Sequence, residues 1–330
     1  MAKHQVLSDQ RRLTAEHFKE VPWPVAKYLW DCLKQVNSLN LHMWKIFVTV
    51  YGQELKEEDR VYTFRPRSKQ MPMREYFNLL NSNSLCWQTT VSFSTEFVGL
   101  ADLVDVSSVY NLVFLEVTAS RRKRQLAHDS GPGTSVTDRV IRSWSDAVRA
   151  GKAFRYLRCL SLDGQTEVTK NFFPYLDNFP TLSGLVLRSC PQMKDKDAVT
   201  AGARHGWQVK RLDPQKHSFE KWKILYTSKG GFGNLQKDPG NDSENDTWPT
   251  LHFHLGSSGP STSTESRTYH FRRERPVLGV NSDPSRIAVE PAGVDALSRI
   301  NKPVRRLMVK ASKKKDMDGI LADFTESKYI

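Results

Sequence analysis

The chain has 330 residues, a formal net charge of +13 and a hydrophobic share of 38%, below the roughly 45–50% of typical globular domains. No run approaches the ~18 apolar residues of a membrane-spanning helix, and the opening MAKHQVLSDQRRL lacks the apolar centre of a secretory signal. A membrane partner is therefore not expected, part of the chain is expected to stay unpacked, and the positive surplus suits a polyanion, an acidic protein or nuclear import.

Four cysteines, Cys32, Cys86, Cys159 and Cys190, are widely spaced with no CxxC pair. They read as reduced, mostly buried thiols of an intracellular protein.

Residues 1–82 carry helix signals. Between 18 and 36, Val25, Tyr28, Leu29, Leu33 and Val36 share one helical face that begins after Pro24. Next, 38-SLNL-41 reads as a short strand running into an apolar helix that ends at Gly52. This region is expected to be a helical cap or a divergent first repeat.

Residues 83–227 alternate short apolar strands with helices. A faint strand at 86–95 offers Val91 and Phe93, and Phe97, Leu100, Leu103 and Val104 form a helical stripe behind it. The stretch 109–120 then places Leu112, Leu115 and Val117 three and two residues apart. A basic, Gly/Pro/Ser-containing segment at 119–135 looks like an inserted surface loop. Beyond it, Val140, Ile141, Trp144 and Val148 share a helical face, with Thr137 as N-cap, Asp138 in the first turn and Gly151 at the end.

Leu157, Leu160 and Leu162 repeat the three-two interval, and Val168, Phe172, Tyr175, Leu176 and Phe179 follow as a helix that Pro174 should kink or shorten. Leu182, Leu185, Leu187 and Cys190 repeat the interval again. A degraded copy begins at Trp207, with Lys210 where an apolar residue is wanted.

This alternation resembles a leucine-rich repeat array. Leu182, Leu185, Leu187 and Cys190 meet the pattern LxxLxLxxN/C in full, whereas Gln165 and Ser120 replace Asn or Cys in the other two good copies. The resemblance covers roughly residues 85–213. It implies an α/β fold, a short and irregular leucine-rich-repeat-like solenoid with an N-terminal helical cap and a largely disordered C-terminal tail. It also implies a concave sheet presenting Ser92, Glu116, Ser161 and Val186, flanked by Asp163 and Arg188, to a protein partner. An ordinary α/β domain with a parallel sheet is the competing reading, since its buried strands are also apolar runs. The segment VPWPVAKYLWDCL resembles an F-box without its usual Leu-Pro start, which would imply a ubiquitin-ligase adaptor as partner.

From 228 to 330 the composition turns polar and low in complexity. Two alternating segments, 251-LHFHL-255 and 268-TYHFR-272, could pair as a hairpin across 251–272 or add to a sheet edge. His252, His254 and His270 could approach one another as zinc ligands, but such histidines are more often ordinary strand residues. Glycine-rich 230–234 lacks the residues of a phosphate loop. Arg305, Arg306, Lys313, Lys314 and Lys315 resemble a bipartite nuclear localisation signal. After them, Met317, Ile320, Leu321 and Phe324 lie at i, i+3, i+4 and i+7, so 316–324 reads as a docking peptide for a partner's groove or for the chain's own domain.

The sequence supports a non-enzymatic interaction scaffold of the nucleus, needing no cofactor and carrying no catalytic set. An F-box-type substrate receptor and a nucleic-acid-binding protein acting through the basic segments are the alternatives.

Overall fold

The structure, a computed structural model, describes residues 10–119, 134–193, 195–210, 248–256 and 268–273. Its frame is one mixed sheet of eight strands: β1 (Val61–Phe64), β2 (Gln88–Ser94), β3 (Leu112–Thr118), β4 (Cys159–Asp163), β5 (Gly184–Arg188), β6 (Gln208–Lys210), β7 (Thr250–Leu255) and β8 (Thr268–Arg272). Across the sheet they run in the order β1-β7-β2-β3-β4-β5-β8-β6. The strands β2 to β5 are neighbours in chain order and all parallel.

Seven α-helices lie among the described residues: α1 (Trp23–Gln35), α2 (Leu41–Tyr51), α3 (Met73–Leu80), α4 (Leu100–Asp105), α5 (Asp138–Arg149), α6 (Phe173–Leu176) and α7 (Asp195–Arg204). Their buried apolar residues join one core with Leu112, Leu115, Val117, Leu160, Leu162, Leu185 and Leu187, so the helices cover one face of the sheet. The three-two spacing explains this layer: the last two positions, two residues apart on a strand, point to the same side. The first, Leu157 or Leu182, is buried just before its strand begins.

Local signals set several elements. Thr137 caps α5 by accepting a hydrogen bond from the Val140 amide at 3.2 Å, and Gly151 takes φ +68° just beyond its end. The Trp144 indole donates to the Leu103 carbonyl at 2.7 Å and joins α5 to α4. Asn40 caps α2 through the Met43 amide, so 38–41 is a helix entry and not a strand. The helix expected over 167–179 is short, as Pro174 implied: a 3-10 turn at Lys170–Phe172 is followed by the four-residue α6, with Pro174 in its first turn, where the missing amide costs nothing. In α4 the helix starts after Gly99, leaving Leu100 exposed and Leu103 buried.

The apolar face expected for α1 is corrected more strongly. Leu33 is buried, but Val25 and Tyr28 are 54% and 57% exposed and Val36 is exposed as well. Ala26 and Trp30 face the core instead. There Trp30 meets Phe47 at 4.9 Å, and Phe47 meets Phe18 at 5.3 Å.

Of the two arrangements expected for 251–255 and 268–272, a hairpin or addition to the sheet, the hairpin is not formed and both segments join the sheet. β7 and β8 do not pair with each other. β7 lies between β1 and β2, parallel to both; β8 lies between β5 and β6, antiparallel to both. The sheet thus takes in strands from outside the expected 83–227 span. The inserted loop at 120–133, the glycine-rich 230–234, the basic 302–315 and the peptide 316–324 fall outside the described residues.

At the carboxyl ends of β4 and β5 two side chains repeat one hydrogen-bonding role. The Gln165 amide donates to the carbonyls of Val117 on β3 at 3.2 Å and of Asp163 at 3.0 Å. Cys190 directs its thiol to the carbonyls of Leu162 on β4 and Arg188 at 3.7 and 3.3 Å. Each satisfies its own strand two residues back and the strand before. Gln165 also accepts from the Val136 amide at 2.8 Å. Replacing Gln165, which is fully buried, by Leu orphans these groups. The expected result is a loss of about 1–3 kcal/mol in unfolding free energy, read by urea denaturation with an unchanged m-value.

Candidate functional site

The sheet face opposite the helices is built in rows, because paired residues of neighbouring strands point the same way. One row reads His252, Thr90, Phe114, Cys159, Gly184 and Arg272 from β7 to β8. The next reads His254, Ser92, Glu116, Ser161, Val186 and His270. The third reads Ser94, Thr118, Asp163, Arg188 and Thr268. An irregularity in the β2–β3 register gives β3 an extra residue at Val113. That residue joins Phe114, Cys159 and Val186 in an apolar patch flanked by Leu85, Tyr156 and Trp248. No helix residue belongs to this patch among the described residues.

All six residues expected on the concave face are therefore brought together: Ser92, Glu116, Ser161 and Val186 in one row, Asp163 and Arg188 in the next. The face is not an open surface, however. Ser161 is 0% and Glu116 4% exposed, and Asp163 and Val186 are also buried.

Burying a carboxylate is costly unless it is paired and hydrogen-bonded. Glu116 meets both conditions: it accepts from the Ser92 hydroxyl at 2.6 Å and lies 3.5 Å from the Arg188 guanidinium. That ion pair links β3 to β5 across β4. The Ser161 hydroxyl, on β4 between them, is buried without a hydrogen-bond partner among the described residues. Burial, and secondarily the Glu116 carboxylate, push the Cys159 thiol far above the ordinary cysteine range. That thiol stays protonated and is not an activated nucleophile.

His252 and His254 share a face, with ring centres 6.4 Å apart. His270 is five strand positions away, on the order of 24 Å at ~4.8 Å per strand, so the three cannot meet at one ion. No group of three or more His, Cys, Asp or Glu side chains able to hold a metal occurs among the described residues, and none of the described helices is long and apolar enough to cross a membrane.

A second concavity, about 370 Å³, lies beyond the end of α2 and is lined by Arg60, Glu54, Cys86 and Trp248 among others. Its guanidinium is already engaged by the carbonyls of Leu55 and Gln53. Sequence reasoning did not single out Lys45, on α2. Its ammonium donates to the Leu79 carbonyl and lies 5.4 Å from the centre of the Trp87 ring. Burial lowers its pKa from 10.5 to about 8.

Between about pH 8 and pH 10.5 the unfolded chain therefore binds more protons at Lys45 than the folded one, and this residue makes stability rise with pH across that window. Lys45→Met should remove that rise. In paired urea titrations the variant's stability relative to wild type is expected to be highest near pH 7 and to fall toward pH 10.

No protein-family model matches the chain, and comparison with curated proteins returns no match.

Proposed function

We propose that the protein is a non-enzymatic interaction scaffold of the leucine-rich-repeat type, whose helix-free sheet face engages a segment of a partner protein. One observation carries the reading: Ser92, Glu116, Ser161, Asp163 and Arg188, from four consecutive parallel strands, form a polar band beside an apolar patch that includes Val186. Such a face offers hydrogen bonds and charge at its carboxyl-end rows and apolar contact at the other. It suits an extended or helical peptide lying across the strands.

The repeat assignment is supported by the chain-order neighbours β2 to β5, the single helical layer and the shared role of Gln165 and Cys190. The basic residues Arg305, Arg306 and Lys313 to Lys315 support a nuclear setting, and the peptide at Met317, Ile320, Leu321 and Phe324 would add a second point of attachment.

An F-box-type substrate receptor is the second reading. The observation favouring it is the exposure of the apolar side chains Val25 and Tyr28 on α1, within the segment that resembles an F-box.

Comparative affinity purification tests the first reading, using wild type and the variant Thr118→Glu/Arg272→Glu in the full chain, since these two side chains on the same sheet face keep exposure and Glu116 keeps its partners. The variant should keep its circular dichroism spectrum and lose specific partners at least tenfold in recovery. If every partner is retained, the helix-free face is not the binding surface. Retention of the ligase adaptor by wild type and its loss from Val25→Asp/Tyr28→Asp would establish the second reading instead.

A further inference from the structure

Every connection from β1 to β6 runs in one direction across the sheet. Each leaves the carboxyl end of its strand, returns through a helix of the covered face (α3, α4, α5, α6 and α7 in turn) and enters a strand nearer β6. The strands so joined are all parallel, β1 through its pairing with β7 and β6 through its pairing with β8.

The next connection must go back. β7 is parallel to β6 but stands six strand positions away, on the order of 29 Å at ~4.8 Å per strand. Residues 211–247 make this return, from the carboxyl edge of the sheet to its amino edge. A crossing of that kind takes roughly a dozen extended residues or two dozen helical ones, so the segment is long enough. Crossovers between parallel strands are right-handed in about 98% of cases. A connection that reverses its direction along the sheet keeps that hand only by changing face. The forward connections use the helix side, and the return therefore belongs on the helix-free side.

Two further observations agree with that route. Trp248, the residue that follows the segment and leads into β7, packs against the helix-free patch beside Leu85 and Tyr156. The chain thus enters β7 from this face. The patch itself is also covered: Val113, Phe114, Cys159 and Val186 are at most 2% exposed although no described helix residue joins them. Burial fades toward the carboxyl ends of the strands, where Thr118, Arg188 and Thr268 keep exposure. The segment's sequence has apolar residues to match, with Phe219, Trp222, Leu225 and Tyr226 at i, i+3, i+6 and i+7.

We propose that residues 211–247 cross the helix-free face of their own chain and seat Phe219, Trp222, Leu225 and Tyr226 on Val113, Phe114, Cys159 and Val186. This rests on the reading of that face as a docking surface, and it divides the face in two. The chain's own segment holds the apolar rows at the amino ends of the strands. A partner meets the row of Thr118, Arg188 and Thr268, and a partner peptide directed at the apolar rows has to displace the segment first.

The first test replaces Trp222 by the photoreactive residue p-benzoylphenylalanine in the full chain, with dilute protein irradiated and digested for mass spectrometry. Cross-links within one chain to the peptides carrying Val113, Phe114, Cys159 or Val186 are expected. Cross-links to α4, α5 or α6 instead, or none to the sheet, overturn the proposal. Cross-links between chains overturn an occupant from the same chain.

The second test uses Cys159 as a reporter already in place on the patch. In the full-chain variant Phe219→Ser/Trp222→Ser/Leu225→Ser/Tyr226→Ser its alkylation by N-ethylmaleimide, read by peptide mapping, should be at least tenfold faster than in wild type. Cys190, in the core on the helix side, should keep its wild-type rate. An unchanged rate at Cys159 overturns the proposal. Should Cys190 become reactive as well, the variant is unfolded and the cross-linking result decides. Both tests use the chain alone, so loss of every partner in affinity purification would leave this placement standing, and its failure would leave the partner-binding row untouched.

Discussion

A strand inside a sheet must have both edges paired, since a buried amide or carbonyl without a partner costs about as much as a lost hydrogen bond. In this protein that demand is met by residues remote in sequence. Among the described residues β1 pairs only with β7 and β6 only with β8, so both ends of the sheet hang on segments beyond residue 249. The central four strands can complete one another locally; the outer ones cannot. Gln88 donates to Thr250 Oγ1 at 2.8 Å and Arg273 grips Asp177. Each reinforces a ladder that the consecutive strands β2 to β5 could not have closed.

The division of labour between the two faces follows from strand alternation. Leucine and valine at every second position give the helices a continuous apolar floor, with Leu115, Leu160 and Leu185 in register. The residues between them are free to be polar, and three of them became Ser92, Glu116 and Ser161. That freedom has limits once the face is buried. Glu116 is tolerated because Ser92 and Arg188 together replace the water it lost. Ser161 marks a place where the replacement is incomplete.

Much of the central sheet was legible in the sequence, because its cues are local. Thr137, Asp138 and Gly151 bound α5 as their chemistry dictates, and the three-two interval located β3, β4 and β5. The misreadings arise where the deciding contact is distant. Along α1 and its C-cap, apolar residues lie both on the side of Val25, Tyr28 and Val36 and on the side of Ala26, Trp30 and Leu33, and periodicity alone does not say which side meets the core. The tetrapeptide Ser38 to Leu41 has strand-like alternation, yet Asn40 is a better cap than a strand residue. The two terminal strands were recognisable as alternating segments, but their proximity in sequence suggested a hairpin; nothing within 251–272 records that β2, β3, β4 and β5 stand between them. The same distance separates His270 from His252 and His254. The polar band was readable as soon as the strands were in register, because alternation fixes which residues share a face. Its burial was not, since burial depends on what lies over the face.

The pairing of β2 with β7 joins residues 162 positions apart, as in Gln88 and Thr250. On a ribosome adding about 5–20 residues per second, the partner emerges roughly 10–30 s after β2 does. Throughout that interval β1 lacks the neighbour it has among the described residues, and one flank of β2 presents an edge of the kind that recruits other chains. Until the distal strand is made that edge stays open, and a product ending before Thr250 would lack the strand that joins β1 to β2.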